Sequence, residues 1–287
     1  MNAGVERVCP STAISGPLPT TGASERGMAA LCESWPLRTG GNWLDFARRR
    51  VRVVLPFVHV HVESFYSAVE QALNLRLRGK AVLVLDRLGI ASASPEAKVR
   101  GVKAGMSVGA ARKSCPYMFL VPGDLARYAE VAERVRRVLR SYSANLEMTA
   151  FGSFHLDFSA TKLSHAEFET KLRLMQAEIL GGTGLHTSVG AGVSRGVATL
   201  AAREHRPCGL RIVAPGTETA FLAPFPVEKL RGVGSATLAT LRQRGIHTIG
   251  QLQRIPRPAL AAALGATAGN RLWKAARGRD DTVASES

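Results

Sequence analysis

Hydrophobic and polar residues change their pattern near residue 51. Residues 1–50 are rich in Gly, Ser, Thr and Pro and show no hydrophobic period, which predicts a disordered N-terminal extension. From Val51 the run VRVVLPFVHVHV predicts a buried strand, and SFYSAVEQALNLRLRG predicts a helix that ends at Gly79. The run KAVLVLD, residues 80–86, predicts a second buried strand. We therefore expect a β-α-β arrangement at the start of the folded region.

Strand and helix patterns continue to alternate as far as about residue 220. Glycine-broken short helices are predicted over 96–116, an amphipathic helix over 125–143, and a helix that ends in glycine over 165–184. The segments FGSFHLDFSAT and HTSVGAGVS read as strands. This order predicts an α+β fold in which helices cover one face of a mixed or antiparallel sheet.

Beyond Phe221 the pattern predicts helices separated by glycine turns. Leu-Arg-Gly-Val-Gly at 230–234 is a helix-hairpin-helix signature, in which two glycines let the backbone of the turn approach a DNA phosphate. An ordinary αα-hairpin is the alternative, since glycine turns are common. The predicted DNA-binding residues are Arg231, Gly232, Gly234, Arg242 and Arg244.

The charge of the chain favours a polyanionic partner. The 287 residues carry 38 Lys and Arg against 22 Asp and Glu, a net charge of +16. Between Arg195 and Arg279 there are 14 Lys and Arg against 3 Asp and Glu, which makes this segment the expected phosphate-facing surface. Nucleic acid is favoured over an acidic membrane, and a merely solvated basic surface is the alternative.

Metal-binding and membrane signals are weak. The four cysteines have no CxxC or Cys/His spacing, so a zinc site is not predicted. No apolar run approaches the ~18 residues of a membrane helix. We expect a cytoplasmic, nucleoid-associated protein.

An ordered set of short motifs between Phe57 and Asp281 resembles the Y-family (UmuC/DinB-like, translesion) DNA polymerases. The resemblance implies a palm that carries the active site, small fingers inserted into it, and a helical thumb with the helix-hairpin-helix. Its main pieces are His59-Val60-x-Val62-x-Ser64-Phe65-Tyr66, Arg78-Gly79-Lys80, Ser94-x-Glu96-Ala97, Gly101-Val102-Lys103-x-Gly105-Met106, Leu156-Asp157, Leu230 to Gly234 and Gly245-Ile246.

The resemblance also implies domain boundaries. The palm is expected at 51–82 and 117–185, the fingers at 83–116 and the thumb at 186–281, followed by a tail at 282–287. The little-finger domain of the family would begin where this chain stops, so the sequence predicts that this domain is absent.

The catalytic positions of the family are changed in this chain. Family polymerases hold two Mg²⁺ ions with one Asp on the first strand and an adjacent Asp-Glu pair on a neighbouring strand. By resemblance these positions fall on His61, Gly152 and Ser153. Imidazole is a poor Mg²⁺ ligand and glycine offers no side-chain ligand, so we expect no intact catalytic residue, metal or cofactor. Glu63 and Asp157 remain as nearby acids, and Mg²⁺ is expected only if the chain is active.

The nucleotide-binding positions of the family are altered too. Its Tyr-x-x-Arg motif falls on Pro95 and Lys98, and its Asn-Lys motif reads Ser194-Arg195. Tyr66 matches the aromatic residue that discriminates the sugar, with a core packing role as the alternative. The predicted nucleotide-binding residues are Tyr66, Lys98 and Arg195.

Because turn glycines and the thumb hairpin match while the acids do not, the sequence favours a catalytically inactive homologue. We expect a pseudoenzyme of DNA repair and translesion synthesis in the SOS response, similar to the inactive polymerase-like subunit of bacterial mutasomes. A divergent but active error-prone polymerase and a non-functional gene fragment are the alternatives. Expected partners are primer-template or single-stranded DNA bound without sequence preference, and a sliding clamp, a RecA-like protein or an active polymerase.

Overall fold

The computed structural model describes residues Phe57 to Arg279. The extension predicted for 1–50, the first palm residues 51–56 and the tail at 282–287 lie outside this range. The described elements, in chain order, are β1 (Phe57–His61), α1 (Phe65–Leu73), β2 (Val82–Asp86), β3 (Gly89–Ala93), α2 (Pro95–Val99), α3 (Val108–Ser114), β4 (Phe119–Pro122), α4 (Leu125–Arg140), β5 (Leu146–Ala150), β6 (Ser153–Asp157), α5 (His165–Thr183), β7 (Ser188–Gly192), α6 (Arg195–Glu204), β8 (Leu210–Ile212), α7 (Glu218–Leu222), α8 (Ser235–Gln243), α9 (Ile249–Gln253), α10 (Arg257–Leu264) and α11 (Ala266–Ala275).

The larger sheet has five strands in the order β5-β6-β1-β7-β8. Strand β8 runs parallel to β7, and the other neighbouring pairs are antiparallel. Strand alternation places apolar side chains on one face, where they pack against α1, α4 and α5. This core includes Val58, Val60, Phe154, Leu156 and Val189, all of them buried.

The opposite face of this sheet is polar, and we call it the histidine face: His59, His61, Ser153, His155 and Ser188. Helix α6 covers the part of the face formed by β7. A Cβ on Gly190 would lie 2.1 Å from the carbonyl oxygen of Ala198, so only glycine permits this approach. Helices therefore lie on both faces, and the expectation of one covered face was wrong.

A smaller sheet, with strand order β3-β2-β4, forms a separate hydrophobic cluster with α2 and α3. The hydrophobic pattern had missed two of its strands, because β3 reads GIASA and β4 is only four residues long. Strand β4 lies in the range predicted as palm, yet it pairs with β2. Strand β7 lies in the range predicted as thumb, yet it pairs with β1, so 186–192 joins the palm sheet.

Helices α7 to α11 form a third cluster at the C-terminal end of the described range. Leu200 and Ala201 of α6 belong to this cluster, so α6 connects the larger sheet to the helical part. Between Phe57 and Arg279, none of the helices combines the length and hydrophobicity that a membrane span requires.

Candidate functional site

Two of the three positions predicted to match family metal ligands, His61 and Ser153, lie side by side on the histidine face. His61 ends β1 and pairs across the sheet with Ser153, the first residue of β6. The Nδ1 atom of His61 lies 2.9 Å from Oγ of Ser153, so the two side chains hydrogen-bond to each other. An imidazole and a hydroxyl thus occupy two positions at which the family resemblance implies carboxylates.

The third position, Gly152, has no room for a side chain. Its φ is +77°, and its carbonyl oxygen accepts a hydrogen bond from the Val62 amide at 2.8 Å. A Cβ there would lie 2.8 Å from Cδ2 of Phe65. The Phe65 ring stacks on Phe151 with centroids 6.0 Å apart, which holds it in place.

The nearby acid Glu63 is surrounded by cationic side chains. Its Oε1 forms an ion pair with Nζ of Lys98, and its Oε2 lies 2.8 Å from NH1 of Arg206 and 3.6 Å from Nε2 of His61. The adjacent His61 imidazole contributes most to holding the pKa of Glu63 well below its usual range, and Lys98 and Arg206 add to it against the effect of burial. We call Glu63, Lys98, Arg206 and His61 the Glu63 cluster.

The other remaining acid, Asp157, lies at the opposite end of β6. It pairs with Phe57, four residues from Ser153, a separation of roughly 13 Å along a strand. Its Oδ1 accepts a hydrogen bond from the amide of Ser159 at 2.7 Å. Within the part of the chain that the structure describes, no group of three or more His, Cys, Asp or Glu residues is arranged to hold a metal ion.

Two further histidines lie in contact on the same face. The ring centroids of His59 and His155 are 4.5 Å apart. Burial lowers the pKa of His59 to about 2, with the neighbouring His155 contributing, and lowers that of His155 to about 4, with Arg195 contributing. Both rings are therefore neutral near pH 7. Sequence reasoning did not single out this pair, although the alternation in HVH and SFHLD already placed both on one face.

The predicted nucleotide-binding residues lie in three different settings. Lys98 belongs to the Glu63 cluster, and Arg195 pairs with Glu147 of β5 through atoms 2.5 Å apart. Tyr66 stacks on Tyr128 with centroids 4.7 Å apart. Both cations lie beside the histidine face, but each is already paired with an acid. Sequence reasoning missed the roles of Glu147 and Arg206.

The thumb hairpin has an exposed turn on a buried base. Leu230 is buried and accepts a hydrogen bond from the Val233 amide at 3.2 Å. Gly232 has φ +92°, a left-handed conformation that favours glycine, and Gly234 immediately precedes α8. The structure therefore brings Arg231, Gly232 and Gly234 together at one exposed turn.

The other two predicted DNA-binding residues lie at the far end of α8. NH2 of Arg242 is 3.6 Å from Oε1 of Glu228, and both side chains are about half exposed. NH1 of Arg244 donates to the carbonyl oxygen of Thr240 at 3.3 Å. An exposed pair of this kind contributes at most about 1 kcal/mol, so it is easily exchanged for another anion.

Two family models match the chain. The impB/mucB/samB family model matches residues 60–203, and the model described as DNA polymerase-iota, thumb domain, matches residues 228–280. The first covers the smaller sheet, nearly all of α6, and the larger sheet except β8 and the start of β1. The second covers the hairpin and the helices after it.

Curated relatives include DNA polymerase IV of Streptomyces coelicolor, 35% identical over 237 residues, which cover 80% of this chain and 49% of that protein. DNA polymerase IV of Stenotrophomonas maltophilia is 35% identical over 228 residues, which cover 78% of this chain and 62% of that protein. The chain therefore spans about half to two thirds of the length of these relatives.

Solved structures share the fold. A Dbh ternary complex with partially disordered substrates has a TM-score of 0.72 at 24% identity, over 79% of this chain and 68% of that one. DinB from Sulfolobus solfataricus has a TM-score of 0.70 at 24% identity, over the same shares of the two chains. This chain belongs to the impB/mucB/samB family of Y-family, DinB-like DNA polymerases and has the palm and helix-hairpin-helix thumb of that fold.

Proposed function

We propose that this chain is a DNA-binding, polymerase-like protein of translesion DNA repair that does not itself catalyse nucleotide addition. It holds primer-template or single-stranded DNA through its thumb and a basic surface. The Glu63 cluster carries this proposal, because an acid at the family's catalytic centre is already neutralised by two protein cations.

The side chains present do not fit a pair of Mg²⁺ ions. Mg²⁺ requires oxygen ligands in nearly octahedral geometry. Nδ1 of His61 and Oγ of Ser153 are hydrogen-bonded to each other. A side chain at Gly152 would overlap Phe65. Glu63 would have to give up Lys98 and Arg206 before it could bind a metal ion. We derive no catalytic step through a metal.

The proposed DNA contacts depend on charge and backbone geometry. The exposed Gly232–Gly234 turn presents its backbone to a phosphate, and Arg231, Arg242 and Arg244 supply positive charge around it. Such contacts carry no base information, so binding is independent of sequence. A protein that holds DNA without extending it serves by presenting DNA to a partner, such as a sliding clamp, a RecA-like protein or an active polymerase.

The test has two parts, extension and binding. In primer extension with Mg²⁺ or Mn²⁺ we expect no product from this protein, while DNA polymerase IV of Streptomyces coelicolor serves as the positive control. In a fluorescence-anisotropy titration with labelled primer-template, we expect affinity to fall steeply as salt rises from roughly 50 to 200 mM, because each phosphate contact releases counterions.

Template-dependent extension that Glu63→Gln abolishes would show a divergent active polymerase and overturn the inactive assignment. A folded protein with no affinity for DNA, or with affinity unchanged by salt, would refute the binding role. A protein that fails to fold would support the reading as a gene fragment.

A further inference from the structure

We propose that Arg271 forms part of the phosphate-binding site at the thumb hairpin, together with the turn at 232–234. The inference rests on the proposed DNA-binding function and adds a residue that the hairpin motif does not contain. Arg271 lies on α11, some forty residues after the turn in the sequence.

The guanidinium of Arg271 lies directly against the turn. A Cβ built on Gly232 would be 3.2 Å from Nε, 3.2 Å from NH2 and 3.3 Å from Cζ of Arg271. All three atoms lie at nearly the same distance, so the guanidinium packs over the Cα of Gly232. The missing Cβ thus permits this contact as well as the left-handed turn.

The N–H donors of this guanidinium are available for a ligand. Arg271 is exposed, and no ion pair or hydrogen bond joins its side chain to another residue between Phe57 and Arg279. Neighbouring arginines are engaged: Nε of Arg257 donates to Asn270 at 2.6 Å, and NH1 of Arg277 donates to the Trp273 carbonyl at 3.0 Å.

The helix that carries Arg271 is held firmly. A Cβ on Gly269 would lie 2.4 Å from the carbonyl oxygen of Leu260, so α11 packs closely on α10. Leu230 beneath the turn belongs to the same buried cluster as Leu260 and Leu272 of these two helices, which holds the base of the Arg271 side chain near the turn. Little additional ordering is needed when a ligand binds, which favours affinity.

A phosphodiester group suits this arrangement. The planar guanidinium presents up to five N–H donors in a fork that matches two phosphate oxygens, and turn amides supply further donors beside it. One phosphate can therefore be held from the backbone of the turn and from Arg271 at the same time.

The test compares Arg271→Gln, Arg271→Lys and the control Arg254→Gln. Arg254 is also an exposed thumb arginine, and Gln removes the same charge there. Affinity for labelled primer-template is measured by anisotropy across a salt series, and thermal unfolding by circular dichroism checks that each variant is folded.

We expect Arg271→Gln to weaken binding roughly tenfold, which corresponds to the loss of one charge-assisted contact. The slope of log affinity against log salt should fall by about 0.9, and by much less for Arg254→Gln. Arg271→Lys should keep most of the slope but lose several-fold in affinity, because the fork is gone.

Equal effects of Arg271→Gln and Arg254→Gln would show a general charge effect and overturn the assignment, as would a wild-type slope in Arg271→Gln. If wild-type protein does not bind DNA, the proposed function fails together with this inference. If wild-type protein binds and Arg271→Gln matches it, only this inference fails.

Discussion

The backbone and surroundings of Gly152 leave no room for an acidic side chain at this position. A side chain there must adopt φ near +77° and overlap Phe65, whose Cδ2 would lie 2.8 Å from the new Cβ. The glycine at 152 and the placement of the Phe65 ring therefore depend on each other.

We predict that the triple variant His61→Asp, Gly152→Asp, Ser153→Glu remains inactive in primer extension and is less stable. Gly152→Asp alone should lower the free energy of unfolding by about 2–4 kcal/mol, from backbone strain and overpacking together. Gly101→Asp is the matched control, because Gly101 has φ +83° with no atom within 4 Å, and it should cost only the strain, about 1 kcal/mol. If Gly152→Asp and Gly101→Asp lower the free energy of unfolding equally in denaturant unfolding, the role of Phe65 is contradicted.

The His59–His155 pair makes stability depend on pH. In the folded state His155 has a pKa of about 4, against an ordinary value of 6.5. The unfolded chain therefore binds more protons between these values, and the free energy of unfolding falls as pH drops from 6.5 towards 4. Above pH 6.5 the contribution is fully present.

We predict that His155→Gln flattens this dependence, measured by denaturant unfolding at several pH values. Each unit of pKa shift corresponds to about 1.4 kcal/mol, so the change of slope is measurable. His247→Gln is the control, because His247 is exposed and has no contact with the pair. The prediction fails if both variants keep the wild-type slope.

Elements far apart in the chain meet at the Glu63 cluster. Lys98 comes from α2 beside the smaller sheet, Glu63 follows β1, and Arg206 follows α6. The cluster thus ties the fingers, the palm sheet and the helix leading to the thumb without a metal ion or nucleotide. In this arrangement two protein cations balance the charge of Glu63.

We predict that Glu63→Gln lowers the free energy of unfolding by about 2 kcal/mol, because it leaves two partly buried cations without their acid. This lies between the values for exposed pairs and fully buried pairs. Glu130→Gln removes an exposed acid that pairs with Arg134 at 2.6 Å, and it should change stability by less than about 0.5 kcal/mol. A cost for Glu63→Gln no larger than that of the control would show that the cluster does not stabilise the fold.

The chain combines a polymerase fold with a large net positive charge. The net charge of +16 and the segment from Arg195 to Arg279 favour polyanion binding through the protein alone. Binding of DNA should therefore not depend on divalent metal ions.

We predict that the dissociation constant for primer-template is the same within about twofold with Mg²⁺ and with EDTA, provided that ionic strength is matched, because salt alone shifts such affinities. Thermal unfolding without DNA should likewise be unchanged by EDTA. A marked loss of DNA affinity or of thermal stability when EDTA is added would reveal a metal site that the side chains do not indicate.

Strong local patterns were predictable from the sequence, and weak ones were not. The helix over 165–183 and the strand β6 follow clear periods, while β5 is exposed along most of its length and β8 has three residues, so neither produces a buried-strand pattern. The glycine turn at 232–234 was predictable because glycine spacing is itself the signal. The expectation that His61, Gly152 and Ser153 occupy the family's ligand positions came from the order of the short motifs, and it stays a prediction.

The surroundings of these three positions were decided only by the tertiary structure. Lys98 lies 35 residues from Glu63 in sequence, and Arg206 and Arg271 are also remote in sequence from the groups they contact. Local periodicity reports which side of an element is buried, whereas an ion pair or a ring filling a space depends on how distant elements pack. The sequence by itself therefore predicts which positions lack a carboxylate, and the packed fold shows that Phe65 closes the space at Gly152 and that Lys98 and Arg206 pair with Glu63.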